Sequence, residues 1–283
     1  MLKLTRQDAE VYIPDGAAGA EALSRTTHLA VSAHQDDVEI MAIDGVLQCF
    51  GLKDKWFAAC VVTNGAGSPR DGLYAQYTDE EMQTVRRVEQ KRAAFLGDYG
   101  ACVLMNHPSS ITKNGNARDV IEDIKALVLA TRPQVIYTHN LADKHDTHVA
   151  VALRVIAALR ELPREARPEK LYACEVWRGL DWVNDEEKTV FDVSGHPGLS
   201  TALLGVFDSQ VAGGKRYDLA SAGRRVANAT YLASHAVDKM DAAAYAFDIT
   251  ALMDGGDPLA FMLDAIGRFA DDVKKRVRGV SGS

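Results

Sequence analysis

His28-Leu29-Ala30-Val31-Ser32-Ala33-His34-Gln35-Asp36-Asp37-Val38-Glu39 is the stretch from which the rest of the chain can be read. Its apolar first half, His28 to Ala33, reads as a buried strand. Beyond it, Val38 to Phe50 carries Ile40, Met41, Ile43, Val46, Leu47 and Phe50 at near-helical spacing. Between strand and helix stand one histidine and two adjacent carboxylates. In an open parallel sheet, ligands bind at the carboxyl ends of the strands. A polar cluster at such an end therefore marks a candidate site.

The flanking sequence repeats the same alternation. Trp56 to Thr63 reads as a second buried strand and runs into a glycine-rich loop, Asn64 to Gly72. Thr78 and Glu81 form a capping box for a helix that Gly97 stops, and Cys102 to Met105 reads as a third strand. Val120, Ile121, Ile124, Leu127 and Val128 recur at helical spacing until Arg132-Pro133, ahead of a strand from Val135 to Thr138. The segment His139 to His148 leads into an Ala/Val/Leu-rich helix reaching Leu162, and Leu171 to Val176 is the next strand. Buried strands alternating with amphipathic helices predict an α/β fold, a Rossmann-like, mostly parallel sheet with helices on both faces.

The core of this single predicted domain, 1–283, spans about 26–176. After Trp177 the alternation lapses, and 177–283 reads as an irregular C-terminal cap and substrate region. Within it Phe191 to Val193 reads as a strand, and Leu199 to Phe207, Leu219 to Ser234 and Pro258 to Val277 read as helices.

Composition narrows the partners. A formal net charge of -7 gives no broad attraction to nucleic acid or to anionic membranes. No stretch has the length of a membrane span, and the first residues lack the form of a signal peptide. Cys49, Cys60, Cys102 and Cys174 contain no CxxC pair and read as buried free thiols of a reducing compartment. The expected location is the cytoplasm, and homo-oligomerisation is left open.

The chemistry follows from two spacings. His34 and Asp37 are three residues apart at a helix start, so both can face one point. His145 and His148 repeat the i, i+3 spacing after another strand, at the same predicted edge of the sheet. One of these histidines can complete a set of two histidines and one carboxylate, leaving positions for water and substrate as a catalytic metal requires. The other is then free as an acid or oxyanion partner. Asp36, beside a ligand, is placed to act as general base on a metal-bound water. Either fragment alone is usually a cap or a solvated turn; both together, after strands of one sheet, favour a metal site.

In order and content these segments resemble the PIG-L or LmbE-like family of metal-dependent N-deacetylases. Ala33-His34-Gln35-Asp36-Asp37-Val38-Glu39 matches the family's Ala-His-Pro-Asp-Asp-x-Glu with glutamine in place of proline. Arg86, Glu89, Ala93, Ala94, Leu96 and Gly97 match its Arg-x-x-Glu-x-x-x-Ala-Ala-x-x-Leu-Gly phrase, and Asp143, His145 and His148 match Asp-x-His-Pro-Asp-His. Thr147 stands where the family usually has an aspartate that orients the neighbouring histidine. The resemblance covers about 28–160. It implies that His34, Asp37 and His148 hold Zn2+, with Fe2+ or another divalent metal as substitutes, that Asp36 is the base, and that His145 stabilises or protonates the reacting groups.

The implied reaction is removal of an N-acetyl group from an amino sugar or sugar conjugate by metal-activated water, with protonated His145 helping to offset the charge on the tetrahedral oxygen. The alternatives are an amidase acting on a bulkier N-acyl or thiol conjugate, and a non-catalytic Rossmann-like module that binds metal or sugar. Arg70, in the glycine-rich loop, sits where the family often has an arginine near substrate. Arg86 and Glu89 have the spacing of a pair on one helix face. The Gly65 to Gly72 loop lacks the features of a phosphate loop. His107 and His196 read as loop residues, and Trp177 to Trp182 as an aromatic segment able to stack on a sugar or to pack in a core.

Overall fold

The computed structural model describes residues 2–282. Its strands are β1 (Glu10–Tyr12), β2 (His28–Ser32), β3 (Phe57–Thr63), β4 (Ala101–His107), β5 (Val135–His139), β6 (Lys170–Cys174), β7 (Lys188–Asp192) and β8 (Ala243–Asp248). They form one sheet in the order β1-β4-β3-β2-β5-β6-β8-β7. The five strands from β4 to β6 are parallel, and β1, β8 and β7 join at the margins as antiparallel partners. The chain winds outward from β2 through β3 to β4, then returns to the other side of β2 with β5. The switch point of the sheet therefore lies between β2 and β5, where a crevice opens beyond the strand ends.

Helices cover both faces, as the alternation predicts. On one face α1 (Gly19–Ser24), α6 (Arg118–Thr131), α7 (Asp146–Glu161) and α11 (Pro258–Ser281) supply residues to a core that includes Val31, Val103, Ile124, Val155 and Met262. On the other, α2 (Asp37–Met41), α3 (Ile43–Cys49), α4 (Asp79–Leu96) and α8 (Pro197–Gly205) pack around Val38, Val46, Ala93, Leu104 and Leu203. The central strands are buried throughout, which accounts for their continuous apolar runs. All four cysteines are free and buried, and no described helix is long and apolar enough to cross a membrane.

The structure refines or adds to the expected elements at three places. The helix expected over 38–50 is broken at Ala42, whose φ of -112° ends α2 and opens α3. The N-terminal arm contributes β1, tied down where Thr5 donates from its N (2.7 Å) and its Oγ1 (2.9 Å) to Asp123. The C-terminal region adds regular elements of its own. β7 and β8 extend the sheet, while α9 (Asp208–Val211) and α10 (Tyr217–Tyr231) line the cavity beyond its strand ends together with the short α5 (Ser109–Lys113).

At the end of β2 away from the crevice, His28 is buried, with Nδ1 2.9 Å from Thr27 Oγ1 and 3.3 Å from Cys49 Sγ. Burial, reinforced by Lys55, lowers its pKa from 6.5 to about 4. The folded state therefore holds a neutral ring, and below pH 6.5 the unfolded chain takes up the proton first. This contribution to stability is present at neutral pH and is lost as pH falls through the window from 6.5 to about 4. Between pH 7 and 5 the expected loss is about 2 kcal/mol from this group. Urea midpoints measured at both pH values should fall less in His28→Gln than in the wild type; equal slopes would remove the assignment.

Candidate metal centre

The first motif leaves β2 through a turn whose geometry is unusual. Asp36 has φ +83°, a left-handed conformation that costs a non-glycine residue energy and persists only where neighbours hold it. They do so from two sides. Gln35, with its side chain fully buried, donates from Nε2 to Thr63 O at 3.2 Å, and its own carbonyl accepts from Arg86 Nη2. The Asp36 N–H is directed at Gln90 Oε1, 3.3 Å away. Gly65 permits this closeness, because a Cβ there would lie 2.6 Å from Gln35 Oε1 and the residue has φ +74°. Glutamine thus occupies the family's proline position with hydrogen bonds in place of a ring.

The turn delivers His34 and Asp37 to the crevice, and α7 delivers His148 from the other side of the switch point. His34 Nδ1 lies 3.2 Å from Asp37 Oδ2 and 3.2 Å from His148 Nε2, and His148 Nε2 lies 3.3 Å from Asp37 Oδ2. Three ligand atoms thus form a nearly equilateral triangle. A tetrahedral ion with bonds of about 2.0–2.1 Å has ligand-to-ligand edges of about 3.3–3.4 Å. The donor set fits a divalent metal in both spacing and chemistry: two imidazole nitrogens and one carboxylate, leaving further positions open.

Two further groups share these residues, one of His34, His145 and His148 and one of Asp37, His139 and His148. His139, at the end of β5, is fully buried and accepts the Ala33 N–H at Nε2 over 2.8 Å. That lone pair is committed, so His139 supports the turn and stacks on His148 with ring centroids 3.9 Å apart. Asp143 stands 3.6 Å from His148 Nδ1, at the distance of an ion pair rather than a hydrogen bond. Its oxygens also accept from His145 N at 3.0 Å and Trp177 N at 3.1 Å. The carboxylate therefore faces the imidazole of His148, not that of His145.

Charges follow the same division. Burial pushes Asp37 up, but His148 and His139 outweigh it and hold the carboxylate well below its usual range. Burial works against protonation of His148, yet Asp37 and Asp143 raise it to about 9. Burial lifts Asp36 to about 7, opposed by Arg86 and aided by Asp37. Two adjacent aspartates are thereby separated into a permanent anion and a group poised near neutrality.

His145 departs from the protonated state implied by the resemblance. Burial, with His34 and His148 adding to it, lowers its pKa to about 4, so the ring is neutral near pH 7. Its Nδ1 accepts from Thr147 N at 3.3 Å, which leaves the proton on Nε2. Thr147, in place of the family's aspartate, fixes that tautomer through its backbone.

Arg86 is more than half of a helix-face pair. It is buried, with Nη2 2.8 Å from Asp36 Oδ2 and Nη1 3.1 Å from Glu89 Oε2. Glu89 in turn accepts from Ser209 N and Ser209 Oγ, each at 2.7 Å. Glu39 binds no part of the triangle. Its Oε1 accepts from Gln90 at 2.8 Å and Tyr99 at 2.9 Å, and burial raises its carboxyl to about 8.

A cavity of about 670 Å³ opens over His34, Asp36, Asp37 and His145, walled by Trp177 and Tyr217. Arg70 does not reach this wall; its guanidinium pairs with Asp79 and donates to Ala66 O at 2.6 Å. His107 pairs with buried Asp123 at 2.9 Å, and Trp182 packs on Phe247, so both belong to the core. His139, Tyr217 and Ser209 have no role in the sequence reading; only the histidine ending a buried strand leaves a signal there.

The fold is that of an α/β protein, with His34, Asp37 and His148 gathered at the switch point of its sheet. Residues 29–159 match the family model described as PIG-L: GlcNAc-PI de-N-acetylase. A comparison with curated proteins gives no match. Among solved structures, the chain is similar to N,N'-diacetylchitobiose deacetylase of Pyrococcus horikoshii, with TM-score 0.64, 13% identity and coverage of 81% of this chain and 85% of that one. A conserved protein of Thermus thermophilus gives 0.61, 18%, 78% and 93%. The 4-carboxy-2-hydroxymuconate hydratase of Pseudomonas putida gives 0.59, 16%, 79% and 95%. At these identities the likeness is one of fold, and one fold carries both a deacetylase and a hydratase.

The Arg86 network generates a direct expectation. Arg86→Met would leave Asp36 and Glu89 buried without their cation, at a cost of about 3–5 kcal/mol. Chemical denaturation should register that loss. A variant as stable as the wild type would show that the pair is dispensable.

Proposed function

We propose that this chain is a metal-dependent N-deacetylase that releases acetate from an amino sugar or sugar conjugate. The observation that carries the reading is the ligand triangle with Asp36 beside it, in a chain whose residues 29–159 match a family model described as a de-N-acetylase. His34, Asp37 and His148 would hold the metal, taken as Zn2+ with Fe2+ as the substitute. When bound, the ion supplies Lewis-acid polarisation of the amide carbonyl and acidifies water.

The chain's own residues supply the remaining work. Asp36, held by Arg86 and poised near neutrality, takes a proton from the attacking water and can return it to the departing amine nitrogen. Neutral His145 donates from Nε2 to the developing oxyanion, a role that its lowered pKa favours over proton delivery. Trp177 and Tyr217 give the cavity an aromatic wall of the kind that packs against a sugar ring. With its guanidinium engaged by Asp79, Arg70 is left out of substrate binding in this reading.

Asp36→Asn should retain metal by elemental analysis while acetate release falls by about 10²–10⁴-fold. Undiminished turnover would rule out the base. His34→Ala and His148→Ala should each lose most of the metal, and full occupancy in both would refute the ligand set. Chelation should abolish acetate release from N-acetylated amino sugars and Zn2+ or Fe2+ should restore it. Silence over a broad panel of such sugars would overturn the reaction itself.

A further inference from the structure

The closing helix α11 is longer than its seat. It runs from Pro258 to Ser281, yet of its described residues two are buried, Met262 and Ala265, and every residue from Val273 to Ser281 is exposed. About three turns, from Asp271 on, therefore extend beyond the core. A helical extension of that length is marginal in water by itself, because fixing the backbone costs about as much as its hydrogen bonds return. Pairs along the helix, Lys274 with Asp271 at 2.8 Å and Arg276 with Asp272 at 2.6 Å, add little where the partners are open to solvent.

Along this helix runs an apolar seam that the core does not use. Leu259, Leu263, Ile266, Ala270, Val273, Val277 and Val280 stand alternately four and three residues apart. All except the half-buried Ala270 are exposed, Leu259 at 64% and Leu263 and Val277 at 58%. Such spacing is the seam of a two-helix coiled coil, and the buried Met262 and Ala265 fall outside it. A groove of about 760 Å³ between α10 and α11 borders the seam, with Phe269 and Val273 from α11 and the exposed Tyr231 from α10. Charge divides along the same helix: 257–272 carries Asp257, Asp264, Asp271 and Asp272 against Arg268 alone, while 273–281 carries Lys274, Lys275, Arg276 and Arg278 and no carboxylate.

We infer that two copies of this chain associate through α11, antiparallel about a two-fold axis at Ala270. The seam is symmetric about that residue. Turned end for end, Ile266 meets Val273, Leu263 meets Val277 and Leu259 meets Val280, as an isologous interface requires. The same turn lays the basic end of each helix over the acidic part of the other, whereas a parallel pair would set like charge beside like. Ala270, small and at the crossing point, lets the two backbones approach. A narrow seam with an acidic first half is unlike the broad apolar face and basic polar face of a helix that lies on a membrane. Among the described residues none of α11 lines the cavity over the metal centre, so this association is tested apart from the deacetylase reading.

The test uses the full chain. Sedimentation equilibrium at micromolar concentration should give an even multiple of 30.7 kDa. Leu263→Asp combined with Val277→Asp should halve that mass, raising the dissociation constant at least about a hundredfold. Both positions are exposed, so the double variant keeps its core, and a cooperative unfolding transition checks this. Orientation is read from cysteines placed at the two ends of the seam. Under mild oxidation Leu259→Cys mixed with Val280→Cys should give a disulfide between the two variants, and Leu259→Cys alone should stay uncoupled; the four native cysteines are buried and do not compete. A monomer at every concentration, with or without flotation on anionic vesicles, would overturn the inference. So would a mass that the double variant leaves unchanged, or coupling of Leu259→Cys to itself in preference to Val280→Cys.

Discussion

Arg86, Asp36 and Glu89 share an enclosed space in which none of the three charges would be tolerated alone. Removing an ion from water costs several kcal/mol, and the cost is recovered only when each polar atom finds a partner of good geometry. Here the guanidinium divides its donors among the Asp36 carboxylate, the Gln35 carbonyl and Glu89, while Glu89 accepts two further bonds from Ser209. Three separate parts of the chain are joined by that one network: the motif turn, the face of α4 and the start of the overlying C-terminal helices. The position of the base and that of the cavity roof are therefore not independent. A change at Ser209, far from the metal ligands in sequence, acts on Asp36 through Glu89 and Arg86.

The second constraint is topological. β2 and β5 are paired in parallel with His28 opposite Val135, so their carboxyl ends finish side by side. Each is followed by a histidine motif that opens a helix, and the helices depart without crossing the crevice. This is why side chains more than one hundred residues apart, His34 and Asp37 on one side and His148 on the other, close to within 3.3 Å. His139 and Asp143 then hold the frame from behind, the first through the Ala33 N–H and the second through the imidazole of His148. Outer partners of this kind fix the orientation of ligating groups before the metal arrives.

Legibility in the sequence followed the range of the interactions involved. The two motifs could be read because i, i+3 spacing at a helix start is local, and the strands preceding them are long apolar runs. β1 and β8 escaped because a three-residue strand has no period to detect, and Ala243 to Asp248 is too rich in alanine to stand out. His139 looked like the end of a strand, and only its approach to Ala33 gives it a role. Arg86 and Glu89 were visible as a spaced pair, but their burial against Asp36 and Ser209 depends on segments 50 and 120 residues away. Arg70 shows the converse: its pairing with Asp79, nine residues on, is local, yet loop position alone does not reveal it.

Gln35 shows how a departure from a motif can preserve its geometry. A proline there would restrict the backbone directly, by its ring, and would need no partner. Glutamine has no such restriction, so the left-handed Asp36 that follows must be held by contacts: Thr63 from the end of β3, Arg86 and Gln90 from α4. Those contacts demand space, and Gly65 supplies it. The turn consequently becomes dependent on two other elements, whereas a proline turn is largely self-sufficient. That dependence has a chemical consequence, because the residue that secures the Gln35 carbonyl is the same arginine that holds the Asp36 carboxylate. Backbone shape and the charge of Asp36 are both governed by one guanidinium.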